Sequence, residues 1–530
     1  MFVHNFSKWP LVALLLLFGL SGCERPDPQV TIVAPPPPGQ ELVVAPTAIA
    51  TARPLEGGRE PLLEPKQETA VQPKVTSLPT YHGTPTPDPP HSSGNGQTAS
   101  QHFVNPGETL GYIAQLYGTS LEALMAANEL AAADFLAIGQ ALTIPNAASQ
   151  AGPAFKIIPD SELVYGPAAK GFRVQDFAAQ FNGYLMGYRE EVEGVSLSGP
   201  EIVDLVAYRY SVNPRLLLAV LEHRAGWVTR GAGVGAVDDG FPLGRVESFL
   251  PGLYRQLSWA ADELNWGYYG RAEGGITSIG IEDGSRVAFA PEINDGTAGV
   301  QNLMAKHSTA NYQSWLQESG PDGLFATYSR LFGNPFAYTV DPLWPPTITQ
   351  PPLQLPWAVG ETWYFTGGPH GGWDLGSAWA ALDFVQSGEQ LGCVPTDAWV
   401  TAMVNGLVTR SEFGAVVVDL DGDNYAGTGW TILYMHLENR DRIAAGTPVQ
   451  VGDRLGHPSC EGGFSNGTHV HVARLYNGRW VSADDALPFT MSGWEAQGLG
   501  REYDGQLVRG DVAKEACECR EETNAVTREE

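Results

Sequence analysis

Residues 465–472 read Ser-Asn-Gly-Thr-His-Val-His-Val. His469 and His471 alternate with Val470 and Val472, the period-two pattern of a β-strand. In a strand, residues i and i+2 share one face, so both imidazoles project to the same side, as a shared metal site requires. The neighbouring sequence has the same character. Ala415-Val416-Val417-Val418-Asp419 and Trp430-Thr431-Ile432-Leu433-Tyr434 are strand-like runs, and turn residues separate them. This punctuation predicts an antiparallel all-β domain. Five of the eleven histidines fall in residues 355–490, at 370, 436, 457, 469 and 471. A hydrolytic Zn²⁺ takes three protein N/O ligands and leaves one position for water. The pKa of that water drops to about 7.

The stretch Gly367 to Trp480 resembles the lysostaphin-type, or beta-lytic, zinc endopeptidases of peptidoglycan. The resemblance rests on Gly367-Gly368-Pro369-His370, Ala381-Leu382-Asp383-Phe384, Tyr434-Met435-His436-Leu437, Val449-x-Val451-Gly452-Asp453-x-Leu455-Gly456 and Ser465-Asn466-Gly467-Thr468-His469-Val470-His471. It implies one Zn²⁺ held by His370, an Asp and His471, with His436 and His469 as catalytic imidazoles. The common family spacing, His-x-x-x-Asp, would select Asp374. The family Asp normally enters a barrel strand, however, and is followed by a Val-x-Ala-x-x-x-Gly-x-Val segment. Here Val400 to Val408 supplies that segment and Asp383 precedes it, as in the longer beta-lytic insertion. Asp383 is therefore preferred and Asp374 is the alternative. His457 is read as a core or surface histidine.

Of the five cysteines, Cys23 belongs to the N-terminus. Among the other four, the favoured disulfide is Cys393–Cys460, which would close a long loop in an oxidising compartment.

Residues 1–23 look like a lipoprotein signal peptide. Lys8 precedes a ten-residue apolar run, Leu11 to Leu20. That is short of the ~20 residues a membrane span needs. Leu20-Ser21-Gly22-Cys23 resembles a lipobox, which implies export and lipidation of Cys23. Residues 24–100 hold 16 of the 40 prolines and no periodicity. Such a segment buries too little apolar surface to fold and is expected to act as a disordered spacer.

Residues 101–147 carry the order β-α-α-β. Pro-Gly-Glu-Thr-Leu at 106–110, Ile113-Ala114, Asn128 and Gly-Gln-x-Leu-x-Ile-Pro at 139–145 closely resemble a LysM domain. The resemblance implies binding of N-acetylglucosamine glycans, with Gly107, Glu108, Thr109 and Leu110 in the sugar groove.

Residues 155–348 are read as helical. Asn213-Pro214-Arg215-Leu216-Leu217-Leu218 to Trp227 resembles the first catalytic helix of lytic transglycosylases. In that register the general acid falls on Arg224, and a guanidinium does not give up a proton near neutral pH. Glu222 lies on another face. The expectation is a lysozyme-like scaffold without glycosidase chemistry.

The expected architecture is thus multidomain: a βααβ LysM domain, a helical lysozyme-like domain and an all-β barrel or sandwich at 355–495. An acidic flexible tail would follow over 496–530. The 530 residues carry 31 Lys+Arg against 59 Asp+Glu, a net charge of −28. This balance opposes nucleic-acid binding and charge-driven docking on anionic lipid. The expected function is a cell-envelope zinc endopeptidase that cuts peptide bonds in peptidoglycan, localised by LysM and a lipid anchor. The alternative is an inactive LysM adaptor that regulates other wall hydrolases.

Overall fold

The runs of β-branched and apolar residues in the C-terminal half pair in register into one large antiparallel sheet. In spatial order its strands are Pro448–Val449, Gly406–Glu412, Ala415–Asp419, Trp430–Met435, Val470–Tyr476, Ala381–Gln386, Thr362–His370 and Ala525–Thr527. Arg479–Trp480 pairs with Val470–Tyr476 off this path. Among the described residues the first and last strands of the path do not pair, so the sheet is open rather than the barrel the sequence allowed. The computed structural model describes residues 101–529, apart from 105–108, 117–120, 131–135, 138–139, 145–149, 232–239, 274–275, 375 and 389–391. The expected signal peptide, Cys23, the Pro-rich linker, Gly107 and Glu108 lie outside the described residues.

Both faces of the sheet are covered. Val416, Val418, Ile432, Tyr434, Val470, Val472, Leu382 and Phe384 pack on one side with Trp357, Trp363 and Phe489. The alternate residues Ala415, Val417, Leu433, Met435, Ala473 and Leu475 join the core of the helical domain instead. This explains why Ala415–Asp419 is apolar along almost its whole length: a strand buried on two faces has no polar side to show.

The helices obey local rules. Gly199–Tyr210 begins at Ser198, which forms a capping box with Glu201. Pro214–Ala225 starts with Asn213 capping the Arg215 N–H and ends at Gly226, whose φ of +70° suits glycine. Leu253–Ala272, the 20-residue helix, packs against Asp295–Ala305. Glu222 faces inward: it is 3% exposed and accepts from Val228 N–H, Thr229 N–H and Thr229 Oγ1, with Arg330 alongside. Its carboxylate is fully engaged in holding that turn. Among the described residues no helix is long and apolar enough to cross a membrane.

In the segment 101–147, Gln101–Phe103 pairs antiparallel with Ala141–Thr143, around helices Leu110–Leu116 and Leu121–Ala127. Asn128 ties the two halves together. Its Nδ2 donates to Leu124 O and Thr143 O, and its Oδ1 accepts from Thr143 N–H. Leu110 is a correction to the sugar-groove assignment: it is 0% exposed and belongs to the core with Ile113, Leu124 and Leu142. Its side chain serves apolar packing, while Thr109 is exposed.

The expected flexible tail is a second correction. Residues 490–515 form a four-stranded antiparallel meander, Thr490–Met491, Trp494–Gly498, Gly505–Arg509 and Val512–Glu515. Ala525–Thr527 then pairs with Thr362–His370, and Val526 is buried in the sheet's core. Charge counting does not reveal this stretch, because its buried apolar residues alternate with polar and charged ones along the strands.

Candidate metal centre

Strand register assembles the site. His471 lies opposite Asp383 on one side and Met435 on the other, and Asp383 lies opposite Gly367. His370 ends its strand and His436 follows the end of another. The ligand atoms of His370, Asp383 and His471 come within 4.8 Å of one another. His370 Nε2 and His471 Nδ1 are 3.0 Å apart, and each is 3.3 Å from Asp383 Oδ1.

The opposite nitrogens of both imidazoles are tied to backbone. His370 Nδ1 is 2.8 Å from Gly368 O and His471 Nε2 is 3.0 Å from Gly372 O. Both nitrogens therefore donate, so the inward-facing ones carry lone pairs. This is the outer-shell arrangement that orients metal-ligating histidines. Asp383 Oδ1 is buried and accepts no well-directed hydrogen bond. A buried carboxylate oxygen without a donor is costly unless a cation serves it, so the three residues fit a divalent metal.

His469 and His436 flank this trio. His469 Nε2 is 3.7 Å from Asp383 Oδ1, and the His436 and His469 rings lie tilted at 48° to each other with centroids 4.3 Å apart. Their Nδ1 atoms lie against Gly467 O (2.7 Å) and Glu461 O (3.0 Å), which leaves each Nε2 available. His436 takes φ +64°. For a side chain with a Cβ this costs about 1–3 kcal/mol and is held by its surroundings.

Burial opposes charge throughout the site. For Asp383 the burial penalty is outweighed by the imidazoles, His370 foremost, and its carboxyl sits well below the usual range. For His370 the burial penalty is outweighed by Asp383, and the net shift is upward. Burial pushes His471 down and His436 well down, the latter aided by the charges of His469 and His471.

Asp374 lies elsewhere. Its carboxylate accepts from Tyr210 OH at 3.2 Å and faces Asp262 of the helical domain. Burial, then the Asp374 charge, holds the Asp262 proton on well above the ordinary carboxylate range. As pH rises through that range, the unfolded chain loses this proton first. The group's contribution to stability is then lost progressively until the folded-state pKa is passed. Asp262→Asn keeps an acceptor for Gly376 N–H. It is expected to match the wild type in thermal unfolding at pH 4 and to exceed it at pH 8, by on the order of 1–3 kcal/mol.

The loop carrying Gly372 lies directly on Trp480: a Cβ at Gly372 would sit 2.5 Å from the indole. Gly372→Val should push the loop off and move the carbonyl that orients His471. The expected result is metal affinity weakened about 10–100-fold, measured by competition with a chromophoric chelator.

The sequence did not single out Glu502 and Tyr503. Tyr503 stacks on His370 with centroids 4.2 Å apart. Glu502 is raised to about 7 by burial and is placed to accept Gly371 N–H at 3.4 Å. They arrive from the stretch read as tail, and no local pattern marks them. His457 lies outside the cluster, against Ala398 O and Trp399. Cys393 and Cys460 are joined, with Cα atoms 5.6 Å apart.

The face bearing the ligands is the one that meets the helical domain. Ser211 Oγ donates to Gly478 O, Trp480 N–H donates to Tyr269 OH, and Arg479 pairs with Glu273.

Comparison with known proteins adds to this geometry. The family model of the LysM domain matches residues 102–145, and that of the LasA N-terminal domain matches residues 156–345. The helical region thus has a LasA-type match. Protease LasA of Pseudomonas aeruginosa strain UCBPP-PA14 is 28% identical over 354 residues, 62% of this chain and 75% of the relative. Protease LasA of strain PAO1 is 27% identical over the same lengths. Among solved structures, the M23 metalloprotease pseudoalterin from the deep sea is 29% identical. It covers 32% of this chain and 96% of its own, with a TM-score of 0.26.

Proposed function

We propose that this chain, which matches the LysM and LasA N-terminal family models and is similar to Protease LasA, is a zinc endopeptidase of the M23 type. Its substrate would be the peptide part of peptidoglycan. The observation that carries this is Asp383 Oδ1, buried and unserved between two imidazole nitrogens whose tautomers the backbone fixes. His370, Asp383 and His471 would hold the metal. Zinc bound by two imidazoles and a carboxylate supplies a Lewis acid and makes water acidic enough to ionise near pH 7.

The chain's own residues do the remaining work. His469, with Nδ1 engaged by Gly467 O, presents Nε2 to accept a proton from the attacking water and pass it to the departing amine. His436 presents its Nε2 beside it and, once that nitrogen has taken up a proton, would donate a hydrogen bond to the oxyanion of the tetrahedral intermediate. Burial keeps competing water away from these imidazoles. The exposed Thr109 edge of the LysM domain would face glycan, and the two modules on one chain raise the local substrate concentration.

Zymography on purified peptidoglycan tests the proposal. Clearing that a chelator abolishes and zinc restores is expected. A folded, zinc-loaded protein that clears nothing would instead make it an adaptor of other hydrolases. Placement at the envelope through an acylated Cys23 belongs to the same proposal. Cys23→Ser is expected to move the protein from the membrane pellet to the soluble fraction, as immunoblotting of fractionated cells would read.

A further inference from the structure

The turn joining Ala415–Asp419 to Trp430–Met435 begins Asp419-Leu420-Asp421-Gly422-Asp423-Asn424-Tyr425. One ligand oxygen each from Asp419, Asp421 and Asp423 lies within 4.8 Å of the other two. Asp421 Oδ1 accepts Asp423 N–H at 3.1 Å. Asp423 Oδ2 accepts from Lys170 Nζ and from Thr428 Oγ1. Acidic clusters on turns are common, and these contacts alone would describe one.

Asp419 sets this turn apart. It is 0% exposed. Its Oδ2 accepts Asn424 N–H at 3.2 Å, but its Oδ1 is sealed from solvent with no partner. Burial, then the charges of Asp421 and Asp423, push its carboxyl up to about 6. Lys170 contributes one positive charge against three carboxylates. A buried carboxylate oxygen with no donor, on a side chain clustered with two more carboxylates, lacks a cation.

We propose that Asp419, Asp421 and Asp423 bind Ca²⁺. All three ligands are hard oxygens, and no His or Cys joins them, which disfavours zinc or copper here. Carboxylates at the first, third and fifth positions are the spacing of a loop that wraps a calcium ion, and the sixth position of such loops must turn sharply. Asn424 occupies that position with φ +65°, a conformation Asn tolerates better than other non-glycine residues. The twelfth position is Trp430 rather than a bidentate Glu. The site therefore belongs to the weak class of extracellular modules, with Kd about 10⁻⁴–10⁻³ M.

The site is separate from the metal centre. Asp419 pairs with Thr431 at one end of the hairpin, and Ala415 pairs with Met435, next to His436, at the other. The turn instead touches the helical domain: Asp423 meets Lys170, and Tyr425 OH donates to Gly166 O at 2.9 Å. Calcium bound there reinforces the seam between the helical and peptidase domains.

Terbium, a luminescent surrogate for calcium, tests this on the full chain, with Tyr425 and Trp430 as nearby sensitisers. Sensitised emission is expected in the wild type, displaced by millimolar Ca²⁺. It should persist in Asp383→Asn and weaken at least about tenfold in Asp421→Asn, which removes one ligand charge. Asp421 is exposed, so near-ultraviolet circular dichroism should show an unchanged fold in that variant. Ca²⁺ should also raise the Tm of the wild type and leave that of Asp421→Asn unmoved. Absent emission, emission indifferent to Asp421→Asn, or a Tm that Ca²⁺ does not shift would overturn the proposal.

Discussion

Asp383→Ala is expected to yield a folded protein that retains no zinc after dialysis and clears no peptidoglycan, whereas Asp374→Asn is expected to retain both metal and activity. Asp383 is the sole carboxylate among the three candidate ligands, so its loss removes the negative charge that holds a dication between two neutral imidazoles. It also removes the charge that outweighs burial at His370. Asp374 is engaged at the domain seam by Tyr210 and Asp262, so its amide variant acts at the seam and is expected to spare the metal. Metal analysis after gel filtration, beside a zymogram, reads both outcomes. Zinc retained in full by Asp383→Ala would refute the ligand assignment.

His469→Ala is expected to keep its zinc and to lower kcat about 10²–10⁴-fold, the range for a lost general acid–base. His436→Ala should also keep its zinc and lose about 10²–10³-fold, as for a lost oxyanion donor. Neither imidazole is needed to complete the trio, since His370, Asp383 and His471 converge without them. The metal readout separates the roles: a ligand variant loses zinc and rate together, a proton-transfer variant rate alone. Metal loss in His469→Ala would make that residue a ligand, and the roles of the His-x-His pair would have to be redrawn.

Local patterns carried much of this protein. The alternation around His469 and His471 is visible in eight residues because strand geometry has a period of two. The Asn213-Pro214 start of a helix and the glycine after Ala225 are legible for the same reason: caps and turns answer to neighbouring residues. The Asp-x-Asp-Gly-Asp turn was equally present in the sequence but gave no ground for singling it out, since exposed acidic turns are ordinary until one carboxylate is found buried.

What the sequence determined by itself, then, was the inventory: β-rich C-terminal residues, two histidines on one strand face, a βααβ segment and the charge balance. The tertiary structure sets Asp383 beside His471 by strand pairing and takes Asp374 to the domain seam. It also turned the supposed tail into strands that bring Tyr503 onto His370, and it sealed Asp419 beneath its turn. Each of these depends on contacts between residues far apart in the chain, whose register is chosen by the burial of whole sheet faces and not by any neighbouring side chain.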